Sequence, residues 1–186
     1  MRHLPHWDQP GLYQIITYRL SDSVPDSVIK NWQNELRNAS RTQRAKELKR
    51  RIESYLDAGH GCCALRTPAV ADCIVDTWKH FDTTRYNLLE WVVMPNHVHV
   101  LIQMLEGCPL GKIVQSWKTY TAKCIQAELV DAGSEKLHPV WMREYWDRYI
   151  RDEIHLESAV QYIRFNPVKA GLVARPEDWK WSSAEG

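Results

Sequence analysis

A chain of 186 residues with 44% hydrophobic content can bury one sizeable core, and nothing in its length requires a second domain, so a single domain over residues 1–186 is expected. Its 24 lysines and arginines nearly balance 23 aspartates and glutamates, which sets it apart from plainly basic nucleic-acid binders and leaves local charge to be weighed. No run approaches a membrane span and no apolar targeting segment stands at the start, which points to a cytoplasmic protein, while five cysteines (Cys62, Cys63, Cys73, Cys108 and Cys124) without C-x-x-C spacing read as reduced, buried thiols.

In chain order, the β-rich YQIITYRL predicts a strand at about 12–20. A long charged helix follows, opening near Pro25 or Asp26 and running to Asp57, with Gly59 and Gly61 closing it. It carries a basic block of Arg41, Arg44, Lys46, Lys49, Arg50 and Arg51, diluted only by Glu47, which reads equally as a phosphate-binding face or as a solvated one. Residues 68–81 form a second helical pattern through Val70, Cys73, Ile74 and Trp78. Strands at 86–93 and 97–104 then make a hairpin, 110–130 an amphipathic helix bearing Lys112, Lys118 and Lys123, and 145–151 an edge strand. A last helix covers 154–165 on an apolar stripe of Ile154, Ala159, Val160 and Ile163, ended near Asn166 by Pro167. This order suits an α+β, ferredoxin-like antiparallel sheet with helices packed on one face. Nine tryptophans and eight tyrosines offer rings for base stacking, although most belong in a core.

The chemistry concentrates in WVVMPNHVHVLI, residues 91–102. Strand side chains alternate faces, so His97 and His99 project to one side with Cβ atoms about 7 Å apart, from which two imidazoles can converge on one metal ion. Val98 and Val100 point the other way, into a core. Tyr162 and Asn166, four residues apart on the last helix, share a face one turn from each other. If that face packs toward the two histidines, Asn166 can complete a metal site and Tyr162 can act as a nucleophile.

WVVMPNHVHVLI resembles the His-hydrophobic-His motif of the single-tyrosine transposases of the IS200 type, the HUH endonuclease-like fold. YIRFNPVKAGLV resembles the tyrosine helix of their REP-associated branch, and HLPHWDQPGLYQIITYRLSDSVP, QSWKTYTAK, VWMREYWDRYIRDE and EDWKWSSA match that branch in order. The resemblance implies a metal-dependent enzyme that cleaves and rejoins single-stranded DNA. His97 and His99 would be metal ligands, Tyr162 the nucleophile that forms a 5′-phosphotyrosine, and Asn166, where the wider family often has Gln, the third ligand. It implies Mg²⁺ or Mn²⁺ as the ion, and single-stranded DNA with REP-like hairpins as partner. It implies a monomer or a homodimer. Lys118, Lys123, Arg148, Arg151 and Lys169 are candidate DNA contacts, and the segment around His6 and Trp7, the basic helix and the tail from Trp179 to Ser183 are candidates for reading an unpaired flank. Two other classes fit parts of the pattern: a hairpin-binding regulator that does not cut, and a His-metal hydrolase of another class, which leaves Tyr162 idle.

Overall fold

The β-branched runs form strands where their alternation predicts. The computed structural model describes residues 11–184, with β1 at Tyr13–Arg19, β2 at Tyr86–Val93, β3 at His97–Met104 and β4 at Trp146–Tyr149. They make one antiparallel sheet in the order β2-β3-β1-β4, the ferredoxin-like arrangement, with Thr17 opposite His99 and Arg19 opposite His97. The helices are α1 (Asp26–Glu35), α2 (Arg41–Asp57), α3 (Pro68–His80), α4 (Leu110–Asp131) and α5 (Glu153–Lys169).

The α+β class is as expected, but the helices lie on both faces of the sheet, not one. On one face Ile16, Tyr18, Val98, Val100 and Ile102 pack with Ile74 and Trp78 of α3 and Ile113 and Trp117 of α4. Tyr18 and Tyr86 belong to this core, where Trp78 Nε1 donates to Tyr18 Oη at 3.1 Å and Trp117 Nε1 to Tyr86 Oη at 3.0 Å. On the other face Val92, Met94 and Leu101 pack with Ala159 and Ile163 of α5. The physical reason is that β2 and β3 are apolar at both sets of alternating positions, so both faces must be covered. The apolar stripe of α5 is shorter than its spacing implies: Ile154, in the first turn, is 79% exposed.

Three further expectations change. The long charged helix is two helices, because Ser40 accepts from Gln43 N at 3.3 Å while its own N–H donates to Gln43 Oε1 at 3.3 Å, a reciprocal cap that starts α2 afresh. α5 continues through Pro167 to Lys169, since a proline this close to a helix end removes little of the helix's bonding, and the ring is buried. Cys73 and Cys124 are joined in a disulfide across α3 and α4, while Cys62 is exposed and Cys63 and Cys108 are half-buried. Fifty-one residues separate the bonded pair, so no local spacing announced it.

The tail closes the structure along the free edge of β2. Val93 N donates to Trp181 O and Ser183 N to Trp91 O, each at 2.9 Å, with Val92 and Ser182 as a bridge pair. Among the described residues no helix is long and apolar enough to cross a membrane.

Candidate functional site

His97 and His99 emerge on the α5 face of β3, each 1% exposed, with ring centroids 4.9 Å apart at 84°. One turn of α5 brings two groups to them. Asn166 Nδ2 lies 3.2 Å from His99 Nε2, and the Tyr162 ring stands edge-on to His99 with centroids 5.0 Å apart. The strand pair and the helix pair expected from spacing therefore meet in one buried pocket.

Two residues hold the imidazoles by their far nitrogens. Asn96 Oδ1 accepts from His97 Nδ1 at 2.8 Å, while Asn96 Nδ2 donates to His60 O at 2.8 Å and Leu56 O at 3.2 Å, tying the start of β3 to the end of α2. Thr17 Oγ1 lies 2.7 Å from His99 Nδ1. With His97 Nδ1 protonated, its Nε2 keeps a free lone pair. Burial, reinforced by the Lys169 charge, lowers the His97 pKa to about 3, and burial, His97, Lys49 and Lys169 hold His99 well below its ordinary value. Both rings are therefore neutral at pH 7, the form in which imidazole binds metal. The Asn166 side chain adds a carbonyl oxygen, Oδ1, that is buried without a hydrogen-bond partner among the described residues. An uncompensated buried carbonyl beside two neutral imidazoles is a donor set a divalent cation satisfies, and these residues fit the expected ion. Among the described residues no cluster of three or more His, Cys, Asp or Glu offers an alternative centre.

The phenol is the strained partner in electrostatic terms. Burial raises the Tyr162 pKa above its ordinary value, and Glu53 and then Asp57 raise it further, whereas a hydrogen bond from Asn166 works in the other direction. Lys49, Glu53 and Asp57 recur every four residues and so share one face of α2, and Lys169 Nζ reaches Asp57 Oδ2 at 2.8 Å. Sequence reading passed over Thr17, Asn96, Glu53 and Asp57. Asn96 stands next to the motif, but its partners Leu56 and His60 are distant in sequence, and the four-residue spacing of Glu53 and Asp57 is a local trace of the wall that α2 contributes.

A groove of about 860 Å³ opens at Tyr162, lined by α2, β1, β4 and α5 and including Lys46, Lys49, Arg50, Trp146 and Arg148. Part of the basic block therefore reaches the site. The rest is structural: Arg44 donates to the carbonyls of Leu36, Arg37 and Ala39, and Arg51 pairs with Glu35 and Glu47. Of the candidate DNA contacts, Arg148 lines the groove and Lys169 stands beside the histidines. Arg151 is exposed outside the groove lining. Lys118 is held away from the groove. Its ammonium is spent on Met142 O at 2.7 Å and Arg143 O at 3.0 Å, and burial, partly offset by Glu144, lowers its pKa to about 8. It and the exposed Lys123 sit on α4, across the sheet from Tyr162. The tail residues are engaged on β2, and His6 and Trp7 lie outside the described residues.

The family model for IS200-like transposases matches residues 72–166, about half of the chain, and the match contains His97, His99, Tyr162 and Asn166. The chain belongs to the IS200-like transposase family. A Haemophilus influenzae protein carrying the name of a REP-associated tyrosine transposase is 31% identical over 96 residues, covering 49% of this chain and 54% of that one. An Escherichia coli REP-associated tyrosine transposase is 29% identical over 98 residues, covering 53% and 54%. This family member spans about half the length of those curated relatives. A solved REP-associated tyrosine transposase bound to a REP hairpin aligns with a TM-score of 0.56 at 18% identity, over 98% of this chain and 82% of that one, which shows a shared fold. Helices α1 and α2, and the tail, lie outside the matched span.

Proposed function

We propose that this IS200-like transposase cleaves and rejoins single-stranded DNA beside REP-type hairpins through a covalent bond to Tyr162. The observation that carries the reading is the meeting of Tyr162 and Asn166 with His97 and His99 in one buried pocket that opens to a charged groove. In the step, Tyr162 Oη bonds to the scissile phosphorus and the bond from phosphorus to the preceding 3′ oxygen breaks. The phenol proton leaves through the groove, and the departing 3′ oxygen takes up a proton. The product is a 5′-phosphotyrosine and a free 3′ hydroxyl, so the bond energy is kept for rejoining.

His97, His99 and Asn166 are the residues that would hold Mg²⁺ or Mn²⁺. When bound, such an ion supplies a positive charge that polarises the phosphate and stabilises the leaving oxygen. The chain's own part is to fix the geometry: Asn96 and Thr17 orient the two imidazoles, and α5 carries the phenol alongside them. Lys49 and Lys169 pair with Glu53 and Asp57, offsetting the negative charge these carboxylates bring to a site that must accept a phosphate.

The test is incubation of a labelled hairpin bearing an unpaired flank with the protein, with and without Mn²⁺, followed by denaturing electrophoresis. A covalent adduct that disappears in Tyr162→Phe, with hairpin binding retained, is the expected result. Metal-dependent cutting without an adduct would mark a hydrolase, and binding without cutting a regulator; either would overturn the reading.

A further inference from the structure

The wall of the groove contributed by α2 lies outside the family match, yet it faces the tyrosine. His97, His99 and Asn166 are buried, so a strand whose phosphate rests against Tyr162 has to continue through the groove that Tyr162 lines. Much of the charge there is already neutralised. Arg50 is bound to Glu47 at 2.7 and 2.8 Å, and Lys49 lies 3.6 Å from Glu53. Lys46 on α2 and Arg148 on β4 differ. Both are exposed, they sit on separate walls, and neither has an ion pair among the described residues. Between them the floor is apolar where Ile15 and Trp146 contribute. Two unspent cations flanking an apolar floor complement a strand with phosphates outside and bases inward.

We infer that this groove holds the unpaired strand flanking the scissile phosphate, with Lys46 and Arg148 each on a backbone phosphate and a base against Ile15 and Trp146. The inference rests on the reading of Tyr162 as nucleophile, and it assigns to α2 a part in binding the flank. It leaves the paired stem to another surface.

The experiment compares a hairpin with an unpaired flank to the same hairpin without one, by fluorescence anisotropy across a salt series in EDTA. The proteins are wild type, Lys46→Ala/Arg148→Ala and Lys46→Arg/Arg148→Lys. For the flanked hairpin the alanine pair should lower the log-log salt slope by about 1.4, from two contacts at about 0.7 each. The blunt hairpin should bind with an unchanged slope, and the charge-keeping pair should restore wild-type behaviour. Thermal melting checks the fold, which two exposed side chains should leave intact. An unchanged slope for the flanked hairpin, or an equal fall for the blunt one, would overturn the assignment. The catalytic reading fails separately, by absence of a Tyr162 adduct with wild-type protein and Mn²⁺.

Discussion

Replacing Asn96 by alanine should damage stability and the histidine pair together, and the structure supplies the magnitude. Asn96 is fully buried and makes three hydrogen bonds: to Leu56 O at 3.2 Å, to His60 O at 2.8 Å and from His97 Nδ1 at 2.8 Å. At about 1 kcal/mol net for each bond the loss is about 3 kcal/mol, and stranded partners raise it where water cannot reach them. Urea unfolding monitored by tryptophan fluorescence should show a lower midpoint at unchanged slope. Freed of its Nδ1 acceptor, the His97 ring loses its set orientation, so Mn²⁺ affinity by calorimetry should fall by about 10- to 100-fold. Asn96→Asp keeps the acceptor and loses the two donors, so it should be destabilised yet keep most of its metal affinity. Asn96→Ala with a stability change below about 0.5 kcal/mol, or Asn96→Ala and Asn96→Asp with equal metal affinities, would refute the reasoning.

The metal-free protein should be acid-sensitive through its buried histidines. His97 has its pKa held at about 3 and His99 well below 6.5, so the unfolded state binds more protons in this range. Stability is then complete above about pH 6.5 and falls as pH drops toward 3, by about 1.4 kcal/mol per pH unit for His97, with His99 acting in the same direction. Urea midpoints at pH 7 and 5 in EDTA should show the decline, and His97→Gln/His99→Gln should flatten it; an identical decline in that variant would contradict the assignment. His97→Ala/His99→Ala should abolish Mn²⁺ binding in a calorimeter, and Asn166→Ala should weaken it by no more than about tenfold because water can replace an amide oxygen. Glu90, 7% exposed, is gripped by Arg164 and Ser183, with Arg164 Nε at 3.1 Å. Because the arginine is 42% exposed, Arg164→Met should cost only about 1–2 kcal/mol, partly recovered by adding Glu90→Gln. A double-mutant cycle giving no coupling would show that the pair does not tie α5 to β2.

What sequence could reveal follows the range of each interaction. Period-two alternation placed β2 and β3, and the shared face of His97 and His99 followed from it. The four-residue step from Tyr162 to Asn166 is likewise local, and the structure keeps it. What escaped depends on contacts far apart in sequence: Thr17 with His99 across 82 residues, Asn96 with the end of α2, and the Cys73–Cys124 bond. Lys118 illustrates the same limit from the other side. Its spacing marked a basic helix face, but two carbonyls of a distant segment claim its charge. The break at Ser40 was legible in principle, since Ser and Gln three apart are a capping signature, but the surrounding charged run masked it.

The tail's pairing with β2 has a consequence for how these molecules behave in a crowd. A four-stranded sheet has two outer strands, each with a row of unmet backbone groups that invites a neighbour's strand to join. Here residues 181–183 occupy one such margin, and the other belongs to β4, only four residues long. Neither side offers a long template for accretion. Residues 181–183 thus act as a hem, covering the margin of β2 that would otherwise present its backbone groups to a neighbouring molecule.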